Sequence, residues 1–471
     1  MCRRKLSEHV RRGHIDLRRW FAALVLAVAA APVAATDGFY DPTFGSGGRR
    51  LFGIGVDGID YATRMRVLSD GTLLLGGSCT VNNVVEPCFA WYRGDGADLN
   101  HNYGPGGAGK SFPESFADFP FVGGNPDWYF DDMALLPDGR VALLGRNAFG
   151  QCYLVMLLAN GTGLDHSVGV GKGSANCTYL NLLAHALAVQ SDGKIVVVGQ
   201  VTGQSSNYDM TVSRWQADLS AFDPQFNGGN PQLIALEVGG SSNDSAAAML
   251  VQPDGKILLA GTAGTQTAFA RLLANGAVDN SVNSPGFGFG PLKDGRAHFA
   301  IGSAADVSSI VLDRYGRIAF GGTSDGSWLI GRLLADGSAQ DMAFNGGAAR
   351  VFPGPTGFGG ALLAIARQSD GKIVAAGESA RVAASLSRYW GAVRLLDDGS
   401  FDASFGFAGL SSGTFTDESS GCCGFTDSGQ AIAIAGGGIV VAGFGKATSG
   451  GANAFGVARV LLDLVFADRF E

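Results

Sequence analysis

Charge is scarce in this chain. Asp, Glu, Lys and Arg make up 16% of 471 residues, and acidic groups outnumber basic ones by 42 to 34. No cluster of Lys and Arg follows the first 35 residues. Binding nucleic acid or an anionic membrane surface needs such a cluster, to displace counterions from phosphates, so both are excluded as partners. Histidine is rarer still. Only His101, His166, His185 and His298 follow residue 35, no two at metal-ligand spacing, and no Cys-x-x-Cys or Cys/His pattern points to zinc. Neither metal nor cofactor is expected. Paired carboxylates confined to one part of the chain are not evident, so no catalytic residue is assigned.

Long apolar runs are missing too. The uncharged, Ala-rich stretch from Trp20 to Ala35 is 16 residues, short of the ~20 that span a bilayer. Arg3, Arg4, Lys5, Arg11, Arg12, Arg18 and Arg19 precede it, and Val33 and Ala35 are small residues before Thr36. This is the grammar of a signal peptide over 1–35, with 36–471 as the exported chain and no membrane insertion of the mature protein. Arg18-Arg19-Trp20-Phe21 partly matches a twin-arginine signal, which leaves the export route open. Cleavage would remove seven basic and two acidic groups and leave a net charge of −13. A secreted, periplasmic or cell-surface location follows.

Six cysteines remain, and an even count in an exported protein favours disulfides. Cys79 and Cys88 are the candidate pair, worth roughly 2–3 kcal/mol for so short a loop. The pairing of Cys152, Cys177, Cys422 and Cys423 stays open; the last two either form a vicinal bridge or remain free.

What is abundant is glycine, 73 residues, beside 46% apolar residues. That combination is too apolar for disorder and points to many tight turns. The turns recur. Ala186 to Gln190 and Ile195 to Gly199 flank Ser191-Asp192-Gly193-Lys194, and Asp-Gly between two strand-like runs is the strongest short hairpin signal. Copies stand at Asp70-Gly71, Asp138-Gly139, Asp254-Gly255 and Asp370-Gly371, with degenerate ones at Tyr315-Gly316 and Gly436-Gly437, spaced by 54 to 68 residues. About twenty-five residues later comes a second hairpin, such as Phe269 to Gly276 or Ala392 to Gly399. A third element, Asp-x-x-Phe, closes each unit: Asp41…Phe44, Asp223…Phe226, Asp341…Phe344 and Asp402…Phe405, with looser versions from Asp98, Asp165 and Asp279.

Each unit reads as four short strands, a to d. Their apolar residues do not alternate with polar ones, so both faces need cover, which stacking unit on unit supplies. The chain beyond residue 35 opens on an Asp-x-x-Phe motif with no strands a–c before it, and the seventh unit runs out at strand c, near Arg459 to Leu462. The expectation is an all-β fold, a single seven-bladed β-propeller of four-stranded blades whose ring is closed by an N-terminal strand. Asp463 to Phe466 is the rival for that closing slot.

Asp41-Pro42-Thr43-Phe44-Gly45, Gln252-Pro253-Asp254-Gly255-Lys256-Ile257 and Ala270-Arg271-Leu272 carry a resemblance. They look like the delta-60 repeat family of exported bacterial proteins, predicted β-propellers, over residues 38–465. The resemblance implies a propeller and export, and carries no catalytic motif. The ending Phe466 to Glu471 resembles a short tail of some exported bacterial proteins.

Several motifs imitate chemistry. Gly104 to Ser111 fits the phosphate-binding loop pattern, but neither a buried strand before it nor a helix after it is expected. Gly53 to Gly58 matches a dinucleotide fingerprint without a βαβ unit. Ser191…Lys194 and Ser369…Lys372 lie in hairpin turns, and Arg93-Gly94-Asp95 in a strand end. All are read as structural. Arg93, Arg214, Arg271, Arg332, Arg394 and Arg459 are read as equivalent positions in strand c, with Met156 the exception. They are expected to pair with the recurring Asp as scaffold, or alternatively to ring the central channel.

The b–c and d–a connections share one face, are longer than the a–b and c–d turns, and are expected to hold all six cysteines. The connection from Gly104 to Tyr129 contains Phe112, Phe116, Phe119, Phe121, Trp128 and Tyr129, candidates for a binding loop because aromatics commonly anchor partners. The competing reading makes them cover for the seam between blades 1 and 2. The expected function is a non-enzymatic binding or structural module that engages a protein, glycan or surface polymer through the long-loop face. The alternative is an extracytoplasmic lyase or hydrolase with its site at the channel mouth, recognisable by non-repeated Asp, His, Arg or Tyr converging there.

Overall fold

The computed structural model describes residues 38–462, apart from loop segments at 56–58, 82, 112–126, 203–206, 237, 239–242, 281–285, 289–292, 382–386, 416–426 and 447–451. Seven antiparallel four-stranded sheets succeed one another along the chain. Strands a are Asp60–Val67, Trp128–Leu135, Leu183–Val189, Asp244–Val251, Ser309–Leu312, Gly360–Arg367 and Ser428–Ala435 for blades 1 to 7. Each a–b turn is the short Asp-Gly type hairpin or its degenerate copy. In blade 3, Gly193 at φ 83° donates its amide to the Gln190 carbonyl, a conformation that favours glycine.

The ring closes through the beginning of the chain. Arg49–Phe52 is strand d of blade 7 and pairs with strand c, Asn453–Leu461, from Arg49↔Ala458 to Phe52↔Phe455. Asp41 Oδ2 accepts a hydrogen bond from Arg459 Nε at 2.8 Å across 418 residues of sequence. Asp463 to Phe466, the rival for this slot, lies outside the described residues.

Burial follows the seams between blades. The core comprises seven clusters, each shared by two neighbouring blades: Leu74, Phe89, Val141 and Leu143 join blades 1 and 2, for example, and Leu259, Ala268, Val196 and Val198 join blades 3 and 4. Because each blade meets a neighbour on both faces, strands such as Ile195–Thr202 are buried almost throughout, which explains their non-alternating sequence.

The Asp-x-x-Phe motif is a turn before strand d, and it bolts each blade to the next. In blade 3, Arg214 Nε donates to Asp223 Oδ2 at 2.7 Å, its guanidinium lies 4.9 Å from the Phe226 ring centroid, and NH1 reaches the Ala274 carbonyl of blade 4 at 2.6 Å. Arg271–Asp279–Phe287, Arg332–Asp341–Phe344, Arg394–Asp402–Phe405 and Arg459–Asp41–Phe44 repeat the arrangement. These arginines are scaffold, and none of them lines the channel.

Blade 1 departs from the expectation. Strand register aligns Trp91, not Arg93, with Arg214, since Leu74↔Trp91 corresponds to Val196↔Arg214. Asn100, not Asp98, donates its amide to the Trp91 carbonyl in the motif position. Trp91 stacks on Tyr103 at 6.1 Å, so a ring pair replaces the cation–ring pair, while Arg93 is solvent-facing and bonds Asp95. In blade 2 the corresponding residues are Met156 and Val168, and Arg140 from the a–b turn satisfies Asp165 instead.

Cys79 and Cys88 are joined by a disulfide, and a second links Cys152 to Cys177. Three of these four sit inside strands b and c, not in the connections where the sequence reading put them. Cys422 and Cys423 fall outside the described residues.

Candidate functional site

Phe112, Phe116, Phe119 and Phe121 lie outside the described residues. Trp128 is a correction to the binding-loop reading. It is 2% exposed in strand a of blade 2, packed in the seam with Phe89, Phe130 and Leu143, with its ring 5.3 Å from that of Tyr153. A residue so enclosed supports the blade and offers no surface to a partner. Tyr129 is half-buried, with the Arg146 guanidinium 5.8 Å from its ring centroid. The phosphate-loop lookalike has no helix after it: Lys110–Ser111 forms strand d of blade 1, and Ser111 pairs with Phe89. Among the described residues, no group of three or more His, Cys, Asp or Glu side chains could hold a metal ion.

The central channel is a cavity of about 720 Å³ lined by strand a of every blade. How strand a presents side chains there follows from a bulge. In six blades the a–b register slips by one residue, at Thr63, Asp131, His185, Ala247, Leu363 and Gln430, and Ser308 stands at the matching place in blade 5. A bulge re-aims a side chain and is common beside functional sites. Strand b supplies the room. Gly77, Gly145, Gly199, Gly261, Gly322, Gly377 and Gly443 lie opposite, where a Cβ would meet a carbonyl oxygen of strand a, or in blade 5 that of Asp306 just before it, at 1.8–2.7 Å. One glycine per repeat is therefore dictated by the channel wall.

The scaffold repeats; the side chains it displays do not. From the bulge onward the strands read Thr63-Arg64-Met65-Arg66, Asp131-Asp132-Met133 and His185-Ala186-Leu187 in blades 1 to 3. In blades 4 to 7 they read Ala247-Ala248-Met249, Ser308-Ser309-Ile310, Leu363-Ala364-Ile365 and Gln430-Ala431-Ile432. All charged groups among the lining residues stand on blades 1 and 2, with His185 beside them on blade 3.

Their geometry is specific. Asp132 is buried, and its Oδ1 accepts from Arg64 Nε at 3.0 Å, Arg66 NH2 at 3.2 Å and the Met133 amide at 2.8 Å. Its Oδ2 accepts the Leu187 amide at 3.0 Å, so one carboxylate ties blades 1, 2 and 3 together. Neighbouring Asp131 pairs with Arg146, which stands one residue before the end of strand b, toward the long-loop rim. Burial pushes the Asp131 carboxyl up to about 6 against the pull of Arg146 and Arg64. Burial lowers the His185 imidazole below its ordinary value, and the positive Arg146 and Arg64 push the same way. Both guanidiniums thus act on both groups, which places them around one spot. The Gln200 side chain pulls the His185 imidazole the other way, and the His185 Nε2 atom is buried.

Sequence reading did not single out Arg64, Arg66, Asp131, Asp132, Arg146 or His185 as a site. The available signal was a departure from the repeat on strand a: aligned on the glycine of strand b, blades 1 to 3 alone carry charge or imidazole at the bulge or the residue after it, where the others carry Ala, Ser, Leu or Gln.

Fold and channel define a seven-bladed β-propeller with one polar wall. Three stretches, residues 190–221, 252–281 and 368–405, match the family described as Domain of unknown function (DUF5122) beta-propeller. No curated protein sequence matches the chain. Among solved structures, Sqt1 from Chaetomium thermophilum is similar at 11% identity and a TM-score of 0.43, over 88% of this chain and 99% of that one. A puromycin hydrolase is similar at 12% identity and TM-score 0.42, over 89% of this chain and 56% of that one. A glucose dehydrogenase follows at 10% and 0.39, over 70% and 96%. Proteins of such different names, this remote, say nothing of what this chain does.

Proposed function

We propose that the protein is an exported, non-enzymatic binding propeller of the delta-60 repeat type. Its ligand enters from the long-loop face and is held at the charged wall of the channel. The observation that carries this is the confinement of Arg64, Arg66, Asp131, Asp132, Arg146 and His185 to three adjacent blades. A residue serving the scaffold recurs in most blades, as the Arg–Asp–Phe bolt does; a residue serving a ligand has no reason to recur. Two disulfides suit an oxidising compartment, and no helix among the described residues is long and apolar enough to cross a membrane. The signal-peptide grammar of residues 1–35 supports export.

A pull-down from culture medium or a glycan array, run with the purified protein and with an Arg64→Gln/Arg146→Gln variant, tests the reading. A protein or glycan captured by the parent and lost by the folded variant supports it. Equal capture by both would move the site to the outer loops.

One observation favours the enzymatic alternative, a lyase or hydrolase. Asp131, held near 6, stands beside Asp132, which is bonded to two guanidiniums, and unlike environments for neighbouring carboxyls are how acid and base roles are divided. On that reading Asp131→Asn abolishes turnover of a captured glycan or ester while leaving its capture intact.

A further inference from the structure

We propose that the blades 1–3 wall binds the carboxylate of a small organic acid, whose apolar body lies against Met249, Leu363 and Ile432 across the channel. The inference rests on the channel being the binding site and adds the chemical class of what binds.

Charge balance is the first observation. Three guanidiniums, Arg64, Arg66 and Arg146, face two carboxylates, Asp131 and Asp132, so the wall holds one surplus positive charge inside a chain of net charge −8. The surplus is local and belongs to the recess. Accessibility is the second. Arg64 and Arg146 keep 33% and 39% of their side-chain surface open, whereas Asp131 and Asp132 keep 10% and 6%. The carboxylates are withdrawn behind the guanidiniums, and an incoming group meets cation first. A planar guanidinium presents paired donors that match a carboxylate. The buried His185 Nε2 lies under the influence of the same two arginines.

The facing wall decides between anions. Met249, Leu363 and Ile432 are half-buried and uncharged, and Ala247 and Ser308 beside them are small. Inorganic phosphate has no hydrocarbon body and leaves this surface uncovered. A monocarboxylate with a short hydrocarbon body satisfies both walls. Arg146 from strand b of blade 2, Arg64 from strand a of blade 1 and Asp132 on its own strand act on Asp131, and Arg66 of blade 1 and His185 of blade 3 line the same recess. Protonation of Asp131 near pH 6 frees Arg146 and raises the surplus, so binding tightens in mild acid.

Isothermal titration of the purified protein with hexanoate, hexanamide and inorganic phosphate, at pH 7.5 and pH 5.5, where the probe stays mostly ionised, tests this. The expected result is saturable hexanoate binding, at least threefold tighter at pH 5.5, with hexanamide and phosphate at least tenfold weaker. Arg64→Gln and Arg146→Gln should each weaken hexanoate at least tenfold. Should either variant fail to fold, Leu363→Asp on the facing wall supplies the second test and should abolish binding while the protein still melts cooperatively. Hexanamide binding as well as hexanoate, phosphate binding better, no hexanoate binding, or hexanoate binding indifferent to the wall substitutions would each overturn the proposal. A captured ligand that depends on Arg64 and Arg146, found alongside no hexanoate binding, removes the carboxylate class and leaves the channel site standing. Capture indifferent to both arginines removes both.

Discussion

Asp132 shows how much one side chain can hold in place. Its two oxygens take four hydrogen bonds, from two arginines of blade 1, its own strand and the Leu187 amide of blade 3. Asp132→Ala leaves two guanidiniums without their anion and a buried amide without its acceptor. The expected cost is about 2–4 kcal/mol in chemical denaturation, below the worst cases because both arginine side chains are partly exposed. Asp131 next door behaves oppositely. Its folded-state value of about 6 lies above that of an unfolded aspartate, so its contribution to stability is complete below roughly pH 4 and is lost as pH rises through 6. The parent should therefore gain on Asp131→Asn as pH falls from 7 to 4, by an amount on the order of 2 kcal/mol. Parallel urea titrations at several pH values measure it; a difference that shrinks instead would mean Arg146 dominates.

At the scale of the element, the bulge of strand a and the glycine of strand b form one device. A Cβ on Gly199 would lie 2.0 Å from the Leu183 carbonyl oxygen, too close for any side chain. Gly199→Ala should cost more than about 2 kcal/mol, whereas Gly163→Ala, where the added carbon meets nothing within 4 Å, should change stability by less than about 0.5 kcal/mol. Thermal melts of the two variants make the comparison. The tight turns, the apolar strands and the recurring Arg, Asp and Phe were all legible in the sequence because repetition averages over local noise. Arg93 and Asp98 were misplaced by two residues because blade 1 exchanges the ion pair for Trp91 on Tyr103, a substitution at both ends that preserves packing and erases the letters. The charged wall escaped for a related reason. A bulge has no motif of its own, and only the strand register shows that Asp131, His185 and Ala247 occupy one position.

For the whole molecule, stability resides in seams, and each seam needs two blades. No blade has a core of its own, so the ring resembles a repeat array in which neighbours supply nearly all the cover. A linear array leaves its first and last faces wet; here Phe44, Leu73 and Leu75 of the early chain meet Val440, Phe455 and Val457 of the late chain in one cluster. Closure also gives the channel its contents, because seven strands a face one axis only when the ring is complete. Trp128 belongs to this scale as well: an aromatic residue in a long connection reads as an anchor until the neighbouring blade is placed against it.

Phe52 and Phe455 are direct partners across the closing pair of strands, 403 positions apart in the chain. In a Phe52→Cys/Phe455→Cys variant, oxidation followed by non-reducing peptide mapping reads the closure directly. A disulfide within one molecule, joining the two peptides in most of the folded protein, is the predicted result; their absence, or a linkage found only between separate molecules, would contradict the closed ring.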